Sequence, residues 1–158
     1  MLLEEEYYIG VPHLDAQHRA LFKTMDRVKD ILMKDDYERN KRLCKEAIKF
    51  FVDHASRHFS DEEAYMRSIH FANYEPHKAQ HDAIKENLLL FEQDIIASDY
   101  SPQSIKHLLG IMMAWLTYHT IEIDSVIGKE IPRIDCSNDA AVALEKAVVR
   151  ISSELFRI

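Results

Sequence analysis

Histidine and carboxylate spacing is where this chain announces chemistry. It carries nine histidines, the side chain that most often binds metals and that titrates near neutrality. His58 and Glu62 lie four residues apart, as do His77 and His81, so each pair projects from one face of a helix. His18 and His119 stand alone in other apolar segments. One histidine in an apolar stripe is ordinarily satisfied by a hydrogen bond to a neighbour, since an unpartnered one costs free energy. Five or six in register across four segments would face one another with little else to bond, and a metal resolves that conflict. Imidazole and carboxylate without thiolate suit iron, zinc, copper or manganese. One ion seldom takes so many protein ligands, so two metals bridged by carboxylates is the economical reading. Spacing leaves two points open. His54 also lies four residues before His58, and Glu122 lies three after His119, the same-face interval, whereas Asp124 lies five after.

The elements that must position these groups read as helices almost throughout. One stripe runs Leu14, His18, Leu21, Met25, Val28, Leu32, and a second runs Ala47, Phe50, His54, His58, Glu62, Tyr65. A third runs His77, His81, Ile84, Leu88, Phe91, Ile95, and a fourth Ile105, Leu108, Met112, Trp115, His119. Stripes of this period face inward in a bundle. Breaks fall at Lys34-Asp35-Asp36, at Phe71-Ala72-Asn73-Tyr74 and at Ser98–Pro102, where Ser101 suits an N-cap with Pro102 just inside. The spacing predicts helices over 14–33, 37–68, 76–97 and 102–127. Short connections between long helices make neighbours antiparallel, so the expected fold is an all-α, up-down-up-down four-helix bundle over residues 1–130. Residues 131–158 form a separate extension. There Ala141, Leu144, Val148, Ile151 and Leu155 make one apolar stripe on an expected fifth helix near 139–156, capped by Asn138 or Asp139. That stripe can pack on the bundle, form a homodimer, or connect to an output module.

Composition narrows the function. A net charge of −7 with both signs interspersed speaks against nucleic-acid or anionic-membrane partners. The N-terminal MLLEEEYYIG lacks the basic and apolar regions of a secretion signal, and no apolar run approaches a membrane span, so a cytoplasmic location is expected. Cys44 and Cys136 read as free thiols. His13, His70 and His107 fall outside the stripes and read as exposed, and Glu63 and Glu122 read as solvated surface charges. Glu-x-x-His pairs, the mark of oxygen-activating ferritin-like bundles, are absent from the stripes, and no phosphate loop or nucleophile motif is evident.

Four motifs carry a resemblance. Leu14-Asp15-Ala16-Gln17-His18 with Leu21, His58-Phe59-Ser60-Asp61-Glu62-Glu63-Ala64-Tyr65-Met66, Tyr74-Glu75-Pro76-His77-Lys78-Ala79-Gln80-His81 and Trp115–Asp124 are similar to four successive motifs of the hemerythrins. Across residues 7–127 the chain resembles that family, most closely its bacterial members. The resemblance implies two iron ions joined by an oxide or hydroxide bridge. It implies His77, His81 and His119 on one iron, His18 and His58 on the other, and Glu62 and Asp124 spanning both. It thus selects His58 with Glu62, and Asp124 over Glu122. The latter choice requires an off-axis reach or a local irregularity in the fourth helix.

What the resemblance implies for function is reversible dioxygen binding at the iron with the open position, as an oxygen carrier for transport or as an oxygen or redox sensor in signalling. This is binding rather than catalysis. A di-iron enzyme or sensor acting on peroxide or nitric oxide is the alternative. The sequence departs from the family at Thr120, where isoleucine is usual, at Ile84, and at His54, where many members have an aromatic. His54 is therefore expected either to be a core histidine bonded to a neighbour or to organise a proton beside the open iron.

Overall fold

The computed structural model describes residues 8–34 and 37–129. The expected fifth helix, the boundary at 130/131 and Cys136 lie outside the described residues. Four helices follow in order, α1 (Pro12–Met33), α2 (Tyr37–Ser68), α3 (Tyr74–Ala97) and α4 (Pro102–Tyr118). The last continues into a π-helical turn, His119–Ile123, and a 3-10 helix, Asp124–Lys129. Helices α1 and α3 each begin two residues earlier than the sequence suggested. In both, proline sits in the first turn, where its missing N–H removes no helical bond. Ser101 caps α4 as expected, its Oγ accepting from the Ser104 N–H at 3.2 Å.

Helix α1 packs against α2 and α4, and α3 packs against the same two. The ring closes into the expected bundle. Its core is apolar over most of its length, with Leu21, Phe22, Met25, Phe51, Ile95, Ile105, Met113 and Leu116 almost fully buried. The first, third and fourth stripes face inward as read, Phe91 alone being only partly buried. The second needs a correction. Phe50 is 45% exposed and Phe51 is 1% exposed. The buried stripe of α2 is Cys44, Ile48, Phe51, Ala55, His58, Phe59, Glu62 and Met66. Adjacent phenylalanines both fit a helical period, and the hundred degrees between them is decided by what α2 packs against.

Alternation of direction brings the start of α1, the end of α2, the start of α3 and the end of α4 to one end of the bundle. That end is closed by the N-terminal segment. The Ile9 N–H donates to Asp15 Oδ1 at 2.8 Å, and a Cβ at Gly128 would lie 1.9 Å from the Ile9 carbonyl oxygen. Glycine is thus required where the 3-10 helix meets Ile9. At the other end, the Tyr37 hydroxyl donates to the Tyr100 carbonyl and Lys41 Nζ to Asp99 Oδ2 at 2.9 Å. These contacts hold a turn in which Asp99 and Tyr100 adopt φ of 47° and 57°. No described helix is long and apolar enough to cross a membrane.

The corrected stripe is testable by denaturant unfolding. Phe51→Ala should cost about 3–5 kcal/mol through the cavity it leaves. Phe50→Ala should cost under about 1 kcal/mol, as surface changes do.

Candidate metal centre

The buried polar side chains at the closed end come from all four helices. His18 on α1, His58 and Glu62 on α2, His77 and His81 on α3, and His119 and Asp124 at the end of α4 are each 0–2% exposed. Side chains that could hold cations fall into two groups. One is Glu62, His77, His81, His119 and Asp124; the other is His18, His58 and Asp124. Asp124 belongs to both. Its Oδ2 lies 3.0 Å from His18 Nε2, and its Oδ1 lies 2.9 Å from His119 Nε2 and 3.2 Å from His77 Nε2. Glu62 Oε2 also lies between the groups, 3.2 Å from His81 Nε2 and 3.6 Å from His58 Nε2. The structure thus brings together all seven residues that the resemblance implies as ligands.

Asp124 reaches this position because the helix changes pitch. Its N–H bonds to the carbonyl of His119, five residues back, the bond of a π turn. That wider turn rotates residue 124 onto the face of residue 119. Glu122, on ordinary same-face spacing, is exposed. The irregularity expected in the fourth helix is present at these residues.

The donor set fits cations better than it fits hydrogen bonding. Both oxygens of Glu62 and both of Asp124, with Nδ1 of His18 and of His119, are buried without a hydrogen-bond partner among the described residues. Buried polar groups are normally satisfied. The ring nitrogens converge on each other instead, at 3.0 Å for His18–His58, 3.0 Å for His81–His119 and 3.3 Å for His77–His119. Ligand atoms that share one ion at about 2.1 Å, at right angles, stand about 3.0 Å apart. The observed separations are therefore those of ligand atoms that could share an ion.

Two of the imidazoles are held from behind, by residues to which the sequence assigns no role at the site. His58 Nδ1 lies 3.0 Å from Gln17 Oε1, and the Gln17 amide donates to Asp61 at 2.6 Å. His81 Nδ1 lies 3.1 Å from Glu63 Oε1, which Lys85 Nζ approaches to 3.3 Å. Glu63 is 8% exposed, which corrects its reading as a solvated charge. Its neighbour Glu62 points inward, and one residue of helix rotation carries Glu63 behind His81 rather than into water. Gln17 and Glu63 both stand in the motifs quoted above, one residue before His18 and one after Glu62, and that adjacency was the available signal. His54 is half-buried and stacks on Phe50 at 5.0 Å. Its Nε2 has no partner among the described residues, so the neighbour bond expected of a core histidine is absent at that nitrogen. His13, His70 and His107 are exposed, as expected.

Two aromatic rings wall the cluster. Phe59 stacks on His81 at 4.4 Å and meets Trp115 edge-on at 5.3 Å. Trp115 also packs on His119 at 5.1 Å.

Over residues 9–131 the sequence matches the family model described as Hemerythrin HHE cation binding domain. The chain belongs to the hemerythrin family. It is similar to a bacteriohemerythrin of Clostridium acetobutylicum, 27% identical over 77% of this chain and 93% of that protein. It is similar to one of Aquifex aeolicus, 27% identical over 78% of this chain and 91% of that one. A bacteriohemerythrin of Campylobacter jejuni is 31% identical over 73% of this chain and 84% of its own length. No solved structure matches the chain.

Without cations, this hemerythrin-family centre must balance two buried carboxylates with protons. Burial opposes charge on His77, but Asp124 and Glu62 outweigh it and raise its pKa to about 9. Burial likewise opposes charge on His18, and Asp124 chiefly overcomes it, so that pKa is also raised. His58 goes the other way, held neutral by burial down to about 3, and burial lowers His119 as well. Burial and Asp124 disfavour ionised Glu62, yet the imidazoles of His77 and His81 close to its Oε2 hold its pKa at about 2.

The cation-free protein should be most stable near pH 6.5. Above that, the contribution of His77 is lost as pH rises through about 9. Below it, the contribution of neutral His58 is lost as pH falls towards about 3, and that of Glu62 as pH falls from 4.5 towards about 2. Thermal melts of chelator-treated protein across this range would check the shape. Loading with a divalent cation at pH 7 should expel about one proton per chain, that on His77. Calorimetry in buffers of different ionisation enthalpy measures that number.

Proposed function

We propose that this chain is a non-heme di-iron protein that binds dioxygen reversibly. The observation that carries the reading is the pair of buried histidine groups sharing Asp124, with Glu62 between them. On this reading His77, His81 and His119 hold one iron, His18 and His58 hold the other, and Glu62 and Asp124 span the two. A donor set of five imidazoles and two carboxylates, free of thiolate, suits iron. Similarity to proteins named bacteriohemerythrin supports the same assignment.

The His18–His58 half has one histidine fewer, so it is the half with room for an external ligand. Iron held by these residues would supply the electrons that dioxygen takes up on binding. The protein's own part is to hold the donors and keep water out. Glu62 and Asp124 bring two negative charges to offset the cations. Phe59 and Trp115 cover His81 and His119 with apolar surface, which limits the access of water to that half of the centre. Gln17 and Glu63 fix the ring orientations of His58 and His81. An oxygen carrier and an oxygen or redox sensor would use this same chemistry.

Purified protein should contain two irons per chain. Reduced protein exposed to air should gain a visible absorption band that disappears when oxygen is removed. Direct conversion to a stable diferric spectrum that oxygen removal leaves unchanged would contradict reversible binding and favour turnover of peroxide or nitric oxide. His119→Ala and Asp124→Ala should each remove at least one iron per chain, read by elemental analysis. Full iron content in both variants would refute the ligand assignment.

A further inference from the structure

The two halves of the centre are backed by groups of different charge. Behind His58 stands the neutral amide of Gln17, its oxygen 3.0 Å from Nδ1 and its nitrogen donating to Asp61. Behind His81 stands the carboxylate of Glu63, with Oε1 3.1 Å from Nδ1. Lys85 fixes the direction of that carboxylate at 3.3 Å, with its Nζ 5.6 Å over the Phe59 ring. Glu63 is buried and Gln17 partly so, so neither contact is a loose surface pairing.

The geometry points to Glu63 and Gln17 as a matched pair of positioning residues that make the two cation positions unequal, the Glu63-backed imidazole of His81 being the stronger donor. This rests on the two-cation reading above. Each contact fixes a tautomer. An imidazole that donates from Nδ1 to an oxygen leaves the Nε2 lone pair free, and Nε2 is the atom that faces the centre in both histidines. A charged acceptor also draws the Nδ1 proton more strongly than an amide does. That raises the electron density the ring offers at Nε2. The His77–His81–His119 position therefore holds its cation more tightly than histidine count alone dictates. The Gln17-backed position stays the weaker and more exchangeable of the two, which suits the half that accepts an external ligand.

Reciprocal variants of the full chain, loaded with cobalt(II), test the pairing. Wild-type protein should bind two cobalt ions in two resolvable steps under competition with a chelator. Glu63→Gln keeps an acceptor oxygen and removes the charge. It should weaken the tighter step by about 10–100-fold and leave the weaker within about threefold. Gln17→Leu should weaken the weaker step by a similar factor and spare the tighter. Both variants changing the same step, or neither changing any, would overturn the proposal. Imidazole nitrogen NMR of the cation-free protein gives a readout independent of loading. Neutral His58 and His81 should each carry their proton on Nδ1, and Glu63→Met should release His81 while leaving His58 unchanged. A proton on Nε2 of wild-type His81 would overturn the proposal even with cobalt binding intact. If wild-type protein took up fewer than two cobalt ions, the two-cation reading would fall instead, and the tautomers would still decide whether Glu63 and Gln17 position these rings.

Discussion

Seven ionisable or metal-binding side chains share one dry end of this bundle, and their mutual distances leave them too few hydrogen-bond donors. That is the constraint on which the rest of the molecule depends. Removing a carboxylate from water is costly unless a counter-charge or donors replace the solvent. Here the oxygens of Glu62 and Asp124 meet ring nitrogens rather than donors in proper alignment. The nitrogens converge on one another too. Cations shared among them would relieve both problems at once, and protons on His77 and His18 relieve them only in part.

Such an end stabilises nothing unless the remainder of the fold holds it. The division along the bundle axis follows from that. Away from the cluster the core is apolar, built from Phe22, Met25, Phe51, Ile105 and their neighbours, and burial there supplies the driving force. At the cluster, the local chain is tied down by specific devices. The N-terminal segment is pinned by Asp15 and by the close approach at Gly128. The π turn at His119–Ile123 interrupts regular α-helix so that His119 and Asp124 can face the same centre. Interruptions of this kind cluster at functional sites, where they re-aim a side chain.

Much of this was legible in the sequence. Helical periodicity revealed the four elements and their order, because the breaks at 34–36, 71–74 and 98–102 punctuate it. His18, His58, His77, His81 and His119 were visible because histidine is out of place in an apolar stripe. Asp124 was different. Spacing favoured Glu122, only the resemblance favoured Asp124, and the pitch change that reconciles them leaves no mark in a count of residues. Phe50 and Phe51 could not be told apart by period alone, since the choice lies in α2's partners. In the sequence, a second carboxylate beside Glu62 looks like the solvated face of a helix, so Glu63 carries no sign of its burial. Its burial depends on His81 and Lys85, residues of another helix brought to it only by the fold.

The central claim is that the two histidine groups are two adjoining cation positions. Anomalous X-ray diffraction at the iron absorption edge from crystals of the iron-loaded protein tests it most directly. The account predicts two anomalous peaks inside the bundle, about 3.5 Å apart. One should lie among His77, His81 and His119, the other between His18 and His58, with Glu62 and Asp124 reaching both. A single peak, or peaks away from these residues, would contradict it.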